Sequence, residues 1–240
     1  MKDYLQDIIR HTSALGFIDL IKIVGTDTET KLYASSDKQT VMINGTFKNP
    51  IADFIGTFGM PNLGKLRTIL SFDEYGEGSK ISMSYNKDNL PESIHFENKA
   101  GDFVNDYRLM KKEVVDDQVK IFEYKGKTWD VEFEPSVKSI QRLTSQSKVH
   151  SEEETFTTRV TDGKLYFDFG DVTTHNGNFV FQESVTGTLQ KKLKWPIQHV
   201  ISILNLDGNK VFRINGQGAL EITVDSGLTN YSYLLPAHMK

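Results

Sequence analysis

Apolar positions along the chain follow a helical rhythm and a strand rhythm, and the order in which the two alternate occurs twice. Tyr4, Leu5, Ile8, Ile9, Thr12 and Leu15 recur at the i, i+3, i+4, i+7 spacing of one helical face. Lys2, Gln6, Arg10 and His11 lie off that stripe, and Gly16 ends it. Strand-like runs follow at Phe17–Val24, Lys31–Ser35 and Thr40–Phe47, where Asn44-Gly45 fits either a hairpin turn or a bulge. A second, shorter helix is expected over Pro61–Leu70, with proline tolerated in its first turn. Its Leu63, Leu66, Ile69 and Leu70 face inward and Lys65, Arg67 and Thr68 outward. Strands at Lys80–Tyr85, Ser93–Asn98 and Asp102–Met110, separated by turn signals at Asp88–Pro91 and Lys99–Gly101, complete the first half.

The order restarts at Pro135. A helix over Ser136–Ser147 places Val137, Ile140, Leu143 and Thr144 on one face, with Lys138, Arg142 and Lys148 on or near the other. Strands at Phe156–Thr161 and Lys164–Phe169 follow. A helix over Pro196–Leu206 then carries Ile197, Val200, Ile201 and Leu204, and strands at Lys210–Ile214, Leu220–Asp225 and Asn230–Leu235 close the chain. Both helices recur at an offset of roughly 133 to 135 residues, too long for a solenoid unit, so the period marks a duplicated α+β domain. The expected partition is 1–110, a connector 111–134, and 135–240. The charged stretch Lys111–Gly126, with Val119, Ile121 and Phe122 among Glu113, Asp116 and Asp117, is read as the linker.

A chain of 240 residues has room for two such cores, and 38% hydrophobic with 25% charged residues is ordinary for a folded protein. The absence of cysteine excludes disulfide scaffolds, thiolate metal sites and a cysteine nucleophile. No apolar run reaches spanning length, and the start MKDYLQDIIRH is too polar for a signal peptide, so a cytoplasmic location and no membrane partner are expected. The net charge of −4 argues against a coat for nucleic acid but leaves room for a local basic face. Each helix has basic side chains on or beside its polar face, and the most basic stretch, Gln190–Pro196, precedes the fourth. Two readings fit: solvated helix surfaces, or four helices forming one surface that meets phosphates.

No catalytic set converges. The six histidines show no metal-ligand spacing, so neither a metal nor another cofactor is expected. Asp168-Phe169-Gly170 copies a kinase tripeptide without its companion motifs, and reads as a strand with Phe167 and Phe169 at alternate positions. Gly216-Gln217-Gly218 lies between strands and reads as a turn. Tyr231–Ala237 alternates in strand fashion and breaks at Pro236, as a last core strand would. A duplicated α+β chain without a catalytic cluster suits a scaffold or ring, or a non-catalytic β-rich structural or virion interaction module, better than an enzyme.

The segment Val224–Pro236 (VDSGLTNYSYLLP) resembles the closing pattern of DNA sliding clamps of the proliferating-cell-nuclear-antigen type, most closely T-even-type phage clamps. Phe54–Leu70 (FIGTFGMPNLGKLRTIL) is similar to the helix those clamps enter after a glycine and Asn-Leu. Asp106–Met110 (DYRLM) is similar to their strand before the interdomain connector. The resemblance implies a clamp fold: two tandem duplicated domains, antiparallel sheets outside, four helices lining a ring, and a homotrimer. It implies a polymerase processivity factor of viral DNA replication, in the host cytoplasm, that encircles double-stranded DNA and works with a DNA polymerase and a clamp loader. DNA would be met by Arg10, Lys65, Lys138, Arg142, Lys191 and Lys194. Partner peptides would dock on Val41, Ile43, Val119, Ile121, Leu234, Leu235 and Pro236. Subunits would pair Asp102–Met110 of one chain with Asn178–Val185 of the next.

Overall fold

The computed structural model describes residues 1–122, 124, 128–171, 173 and 175–238. It divides into two compact units, one of Met1–Phe122 with Ser226–Tyr231 and one of Glu123–Asp225 with Ser232–Lys240. Their elements are mixed helix and antiparallel sheet.

The first unit opens with α1 (Lys2–His11), which buries Leu5, Ile8 and Ile9 and leaves Arg10 exposed, as the 3.6-residue period requires. The expected helix to Leu15 stops at His11. The Thr12 hydroxyl donates to the Ile8 carbonyl at 2.6 Å, a 3₁₀ turn covers Ser13–Leu15, and Gly16 takes the left-handed φ of 85°. Strands β1 (Leu20–Gly25), β2 (Thr30–Ser35), β3 (Met42–Phe47) and β4 (Gly56–Pro61) form a sheet in the order β4-β1-β2-β3. Helix α2 (Leu63–Leu70) packs on α1, and β5 (Lys80–Tyr85), β6 (Pro91–Glu97) and β7 (Val104–Arg108) form a second antiparallel sheet. Asn44-Gly45 is neither turn nor bulge; it sits inside β3 in unbroken register with β2. The second helix begins at Leu63 rather than Pro61, because Phe54–Pro61 is spent on a 3₁₀ turn and β4, where Met60 and Phe58 pair with β1 and are buried.

The stretch read as a linker holds a helix, α3 (Lys112–Gln118). Its Val115 is fully buried against β4, and Lys22 of β1 meets Asp116 at 2.5 Å. Seven residues with a single buried apolar side chain carry too weak a pattern to be seen in sequence. Glu123 and Lys125–Lys127 of the expected connector lie outside the described residues.

In the second unit, α4 (Val137–Val149) starts at a Ser136 cap whose hydroxyl accepts from the Ser139 N–H at 3.1 Å. Strands β9 (Thr155–Thr161), β10 (Lys164–Gly170), β11 (Asn176–Gln182) and β12 (Leu193–Pro196) form the sheet β11-β10-β9-β12. The basic stretch before the fourth helix thus ends in a strand. Trp195 is fully buried there, and its indole N–H donates to Thr158 at 3.1 Å. Helix α5 (Ile197–Leu204) packs on α4. Strands β8 (Val131–Phe133), β13 (Asn209–Asn215), β14 (Ala219–Asp225) and the end of β15 (Thr229–Pro236) form the other sheet, ordered β15-β14-β13-β8. The tripeptide Asp168-Phe169-Gly170 is the end of β10. Phe167 and Phe169 point into a stack in which Phe167 lies 4.3 Å from Phe156 and 4.2 Å from Phe181, while Asp168 holds Arg159 at 2.9 Å on the other face.

The duplication is visible in the elements. Helices α1 and α4 begin at residues 2 and 137, and α2 and α5 at 63 and 197, each first helix packing on its own second.

Candidate nucleic-acid interface

The two helix pairs are held by the same construction. In the first unit, Leu5 and Ile8 of α1 and Leu66 and Ile69 of α2 are buried, each side chain contributing about 1.5–3 kcal/mol of transfer free energy. In the second, Leu143 of α4 and Val200, Ile203 and Leu204 of α5 do the same. Amphipathic helices that bury these stripes turn their polar faces outward, which is where the basic residues stand.

Arg10, on the last turn of α1, and Lys65, on α2, are exposed, as are Lys138 and Arg142 on α4, one turn apart on one face. Lys191 and Lys194 are elsewhere. Lys191 is exposed in the segment before β12, and half-buried Lys194 lies on β12, its carbonyl accepting from the His238 N–H at 3.0 Å. On these helices two further exposed cations lie outside the expected set, Arg67 of α2 and Lys148 of α4. Both stand off the face that carries the chosen neighbour on the same helix. Arg67 borders a shallow recess of about 400 Å³ that Asp19 and Asp37 also line. Lys2 donates to the Tyr75 carbonyl at 2.5 Å and is half-buried.

The charge count separates these helices from the remainder. Helices α1, α2, α4 and α5 carry seven Lys and Arg against two Asp, a formal +5 within a chain of −4. One of the two acids, Asp7, is turned inward and buried. Helix α5 supplies none of the cations; its exposed polar residue at the first turn is Gln198. Paired basic side chains on helical faces meet phosphates without reading base edges.

The residues expected to receive partner peptides differ in access. Val41, Ile43 and Val119 of the first unit are 0%, 1% and 3% exposed, and Leu235 of the second is fully buried; these four belong to the cores. Ile121 is half exposed and Phe122 is 38% exposed beside it, while Pro236 is also at the surface and Leu234 nearly covered. The Asn44 amide donates to the Phe122 carbonyl at 2.8 Å and holds that end of the segment on β3. Phe122 was not singled out, although an apolar pair in an acidic stretch was the available signal.

Each unit has a sheet edge of interest for assembly. Strand β7 ends the β5-β6-β7 sheet and β11 ends the β11-β10-β9-β12 sheet. Among the described residues no group of three His, Asp or Glu is placed to hold a metal ion. A buried carboxylate-imidazole-phenol group, Asp7, His11 and Tyr231, is at most 7% exposed at any member and fastens α1 to the start of β15.

No protein-family model matches the sequence, and no curated protein matches it. Solved structures do. A structure of the C-terminal region of FEN-1 bound to A. fulgidus PCNA superposes with a TM-score of 0.71 at 9% identity, over 100% of this chain and 96% of that one. PCNA from Thermococcus kodakaraensis gives 0.66 at 11% identity, over 98% and 97%. With its helix pairs, antiparallel sheets and full-length correspondence, the chain has the fold of the PCNA sliding clamps.

Proposed function

We propose that the chain is a sliding clamp, a closed homotrimer that encircles duplex DNA and tethers a DNA polymerase to it after a clamp loader has opened the ring. The observation that carries the reading is the +5 of the four helices within a chain of −4, on a clamp fold. Cations gathered on helix faces and acids elsewhere suit a surface that lets DNA slide while the remaining surface repels it. Arg10, Lys65, Lys138 and Arg142 are the proposed contacts, with Arg67 and Lys148 adding positive charge from other faces of the same helices; Lys191 and Lys194 would act from outside the helices.

Subunits join in this reading by adding β7 of one copy to β11 of the next, closing two edges that otherwise invite nonspecific pairing. Partner proteins dock at the segment around Ile121 with Leu234 and Pro236. The A. fulgidus protein similar in fold carries the C-terminal region of FEN-1, and a short peptide is the proposed occupant here too. Val41, Ile43, Val119 and Leu235 are buried in the cores of their own units. The tether works through effective concentration: a polymerase that releases the primer end stays near it and rebinds. The T-even-like closing segment favours a viral replication setting in a host cell's cytoplasm. In a primed-template assay with loader and polymerase, addition of the chain lengthens products; products of unchanged length would overturn the proposal.

A further inference from the structure

A cleft in the first unit borders the end of β7 but is assigned no role in the clamp reading. It has a volume of about 620 Å³ and lies between the outer edge of β4, the β5–β6 turn, the end of β7 and the start of α3. That volume is in the range of sites that hold ligands. Leu90, Pro91 and Leu109 supply its apolar wall, and Leu90 is 56% exposed at the tip of the turn. Ile55, just before β4, and Tyr85, the last residue of β5, are also exposed.

The floor has a specific chemistry. Strand β4 pairs on one side with β1, in continuous register from Leu20↔Pro61 to Gly25↔Gly56. On its other side, Gly59 exchanges both backbone hydrogen bonds with Met110, its N–H donating at 2.9 Å and its carbonyl accepting at 2.8 Å. Alternation then fixes its neighbours: Phe58 and Met60 turn their backbone groups to β1, and Thr57 and Pro61 turn theirs outward. The Pro61 carbonyl is satisfied by the Tyr107 hydroxyl. The Thr57 N–H and carbonyl face the cleft with no partner among the described residues, because the chain leaves the sheet after Met110 to form α3. A strand edge with a free donor and acceptor, beside an apolar recess, fits one kind of ligand: another extended backbone.

We propose that this edge and cleft form a docking site for a short extended segment of a partner protein, which adds to β4 at Thr57 and places one apolar side chain against Leu90, Pro91 and Leu109. The rim selects no net charge. It holds Arg108, Lys111 and Lys112 against Asp88, Glu92 and Glu113, with Arg108 already paired to Glu92 at 3.1 Å and Lys112 to Asp116 at 2.6 Å. Recognition therefore falls to the backbone pair and the apolar anchor.

The test is selection of a displayed library of random linear peptides on the intact chain, with counter-selection on Leu90→Asp. The recovered peptides share an apolar residue, slow hydrogen exchange at the Thr57 amide on binding, and lose at least about tenfold in affinity for Leu90→Asp and for Thr57→Pro. Ile121→Asp leaves their affinity unchanged. Proline is tolerated at an edge position whose N–H points away from the sheet. Should Thr57→Pro not fold, the exposed Leu90→Asp variant and the Thr57 exchange still decide. Failure to recover any peptide after counter-selection overturns the proposal, as does retained affinity for Leu90→Asp or unchanged exchange at Thr57. Loss of self-association in Leu90→Asp would equally overturn it, by showing that another copy of the chain covers the cleft.

Discussion

Asp7 illustrates how a single residue ties the first helix to the last strand of the sequence. Burial pushes its carboxyl pKa up, but hydrogen bonds and charge from His11, with help from Ser226 and Thr229, bring it below the ordinary carboxylate value. The Tyr231 hydroxyl donates to it at 2.9 Å, and the Tyr231 ring stacks on His11 at 4.6 Å. Removing that hydroxyl leaves a buried carboxylate one donor short, so Tyr231→Phe should cost about 1–3 kcal/mol in urea denaturation. A depressed folded pKa contributes stability above the unfolded value of about 3.9, and that contribution disappears as pH falls through the folded value. The stability gap between the protein and Asp7→Asn should therefore shrink below about pH 4; a gap constant down to strong acid would show that Asp7 is not held ionised. None of this was legible in the sequence, where Asp7 is a polar residue on an amphipathic helix. Its partner Tyr231 lies more than two hundred positions away.

Among the elements, α3 depends most on tertiary contact. It is short and acidic, and two attachments hold it. Val115 closes on Gly59, where an added Cβ would come within 2.9 Å of both Val115 and Met110. Asp116 joins Lys112 and the buried Lys22, which together hold its carboxyl down to about 2. Gly59→Ala should loosen α3, seen as faster hydrogen exchange at Val115 and Val119 with the rest of the first unit unchanged. Unchanged exchange there would mean that Met110 and Val115 yield at no cost. The Asp116 attachment is present above the unfolded carboxylate value and is lost as pH falls toward about 2. Strand β7 has the opposite pH sense. Its Asp106 hydrogen-bonds His95 of β6 at 2.9 Å, and this bond, against some desolvation and with aid from Glu97, raises the histidine pKa. That contribution is full below about pH 6.5 and fades as pH rises through the raised value. Protection of β7 amides should decline over that rise and be insensitive to it in His95→Ala.

For the whole molecule, the decisive quantity is the assembly. Light scattering should give a native mass near three times 27.3 kDa, persisting on dilution; a monomer at all concentrations would rule out an autonomous ring. Lys138→Glu with Arg142→Glu should shorten polymerase products while leaving that mass unchanged, because both side chains are exposed and neither supports the core. Direct equilibrium binding to short linear duplex DNA should weaken with salt more steeply in the parent than in the double variant, the slope being about −0.9 per phosphate contact. Equal slopes would remove those two residues from the contact set.

By itself the amino-acid sequence determined the duplication, the apolar stripes and most of the helices and strands, since these are written in local periodicities of 3.6 and 2 residues. The two helix pairs, the phenylalanine strand β10 and the closing strand were readable for that reason, as were the basic helical faces at Lys65, Lys138 and Arg142. Only tertiary structure decided which apolar residues stay accessible. Val41, Ile43 and Leu235 share the composition of Ile121, yet packing buries the first three and leaves the last at the surface. It also decided that Phe54–Pro61 is strand, that the acidic connector holds a docked helix, and that the edge at Thr57 stays unpaired. Each of these depends on a neighbour distant in sequence, Ile23, Lys22 or Met110, and burial against such a neighbour outweighs the weak preference of a short segment.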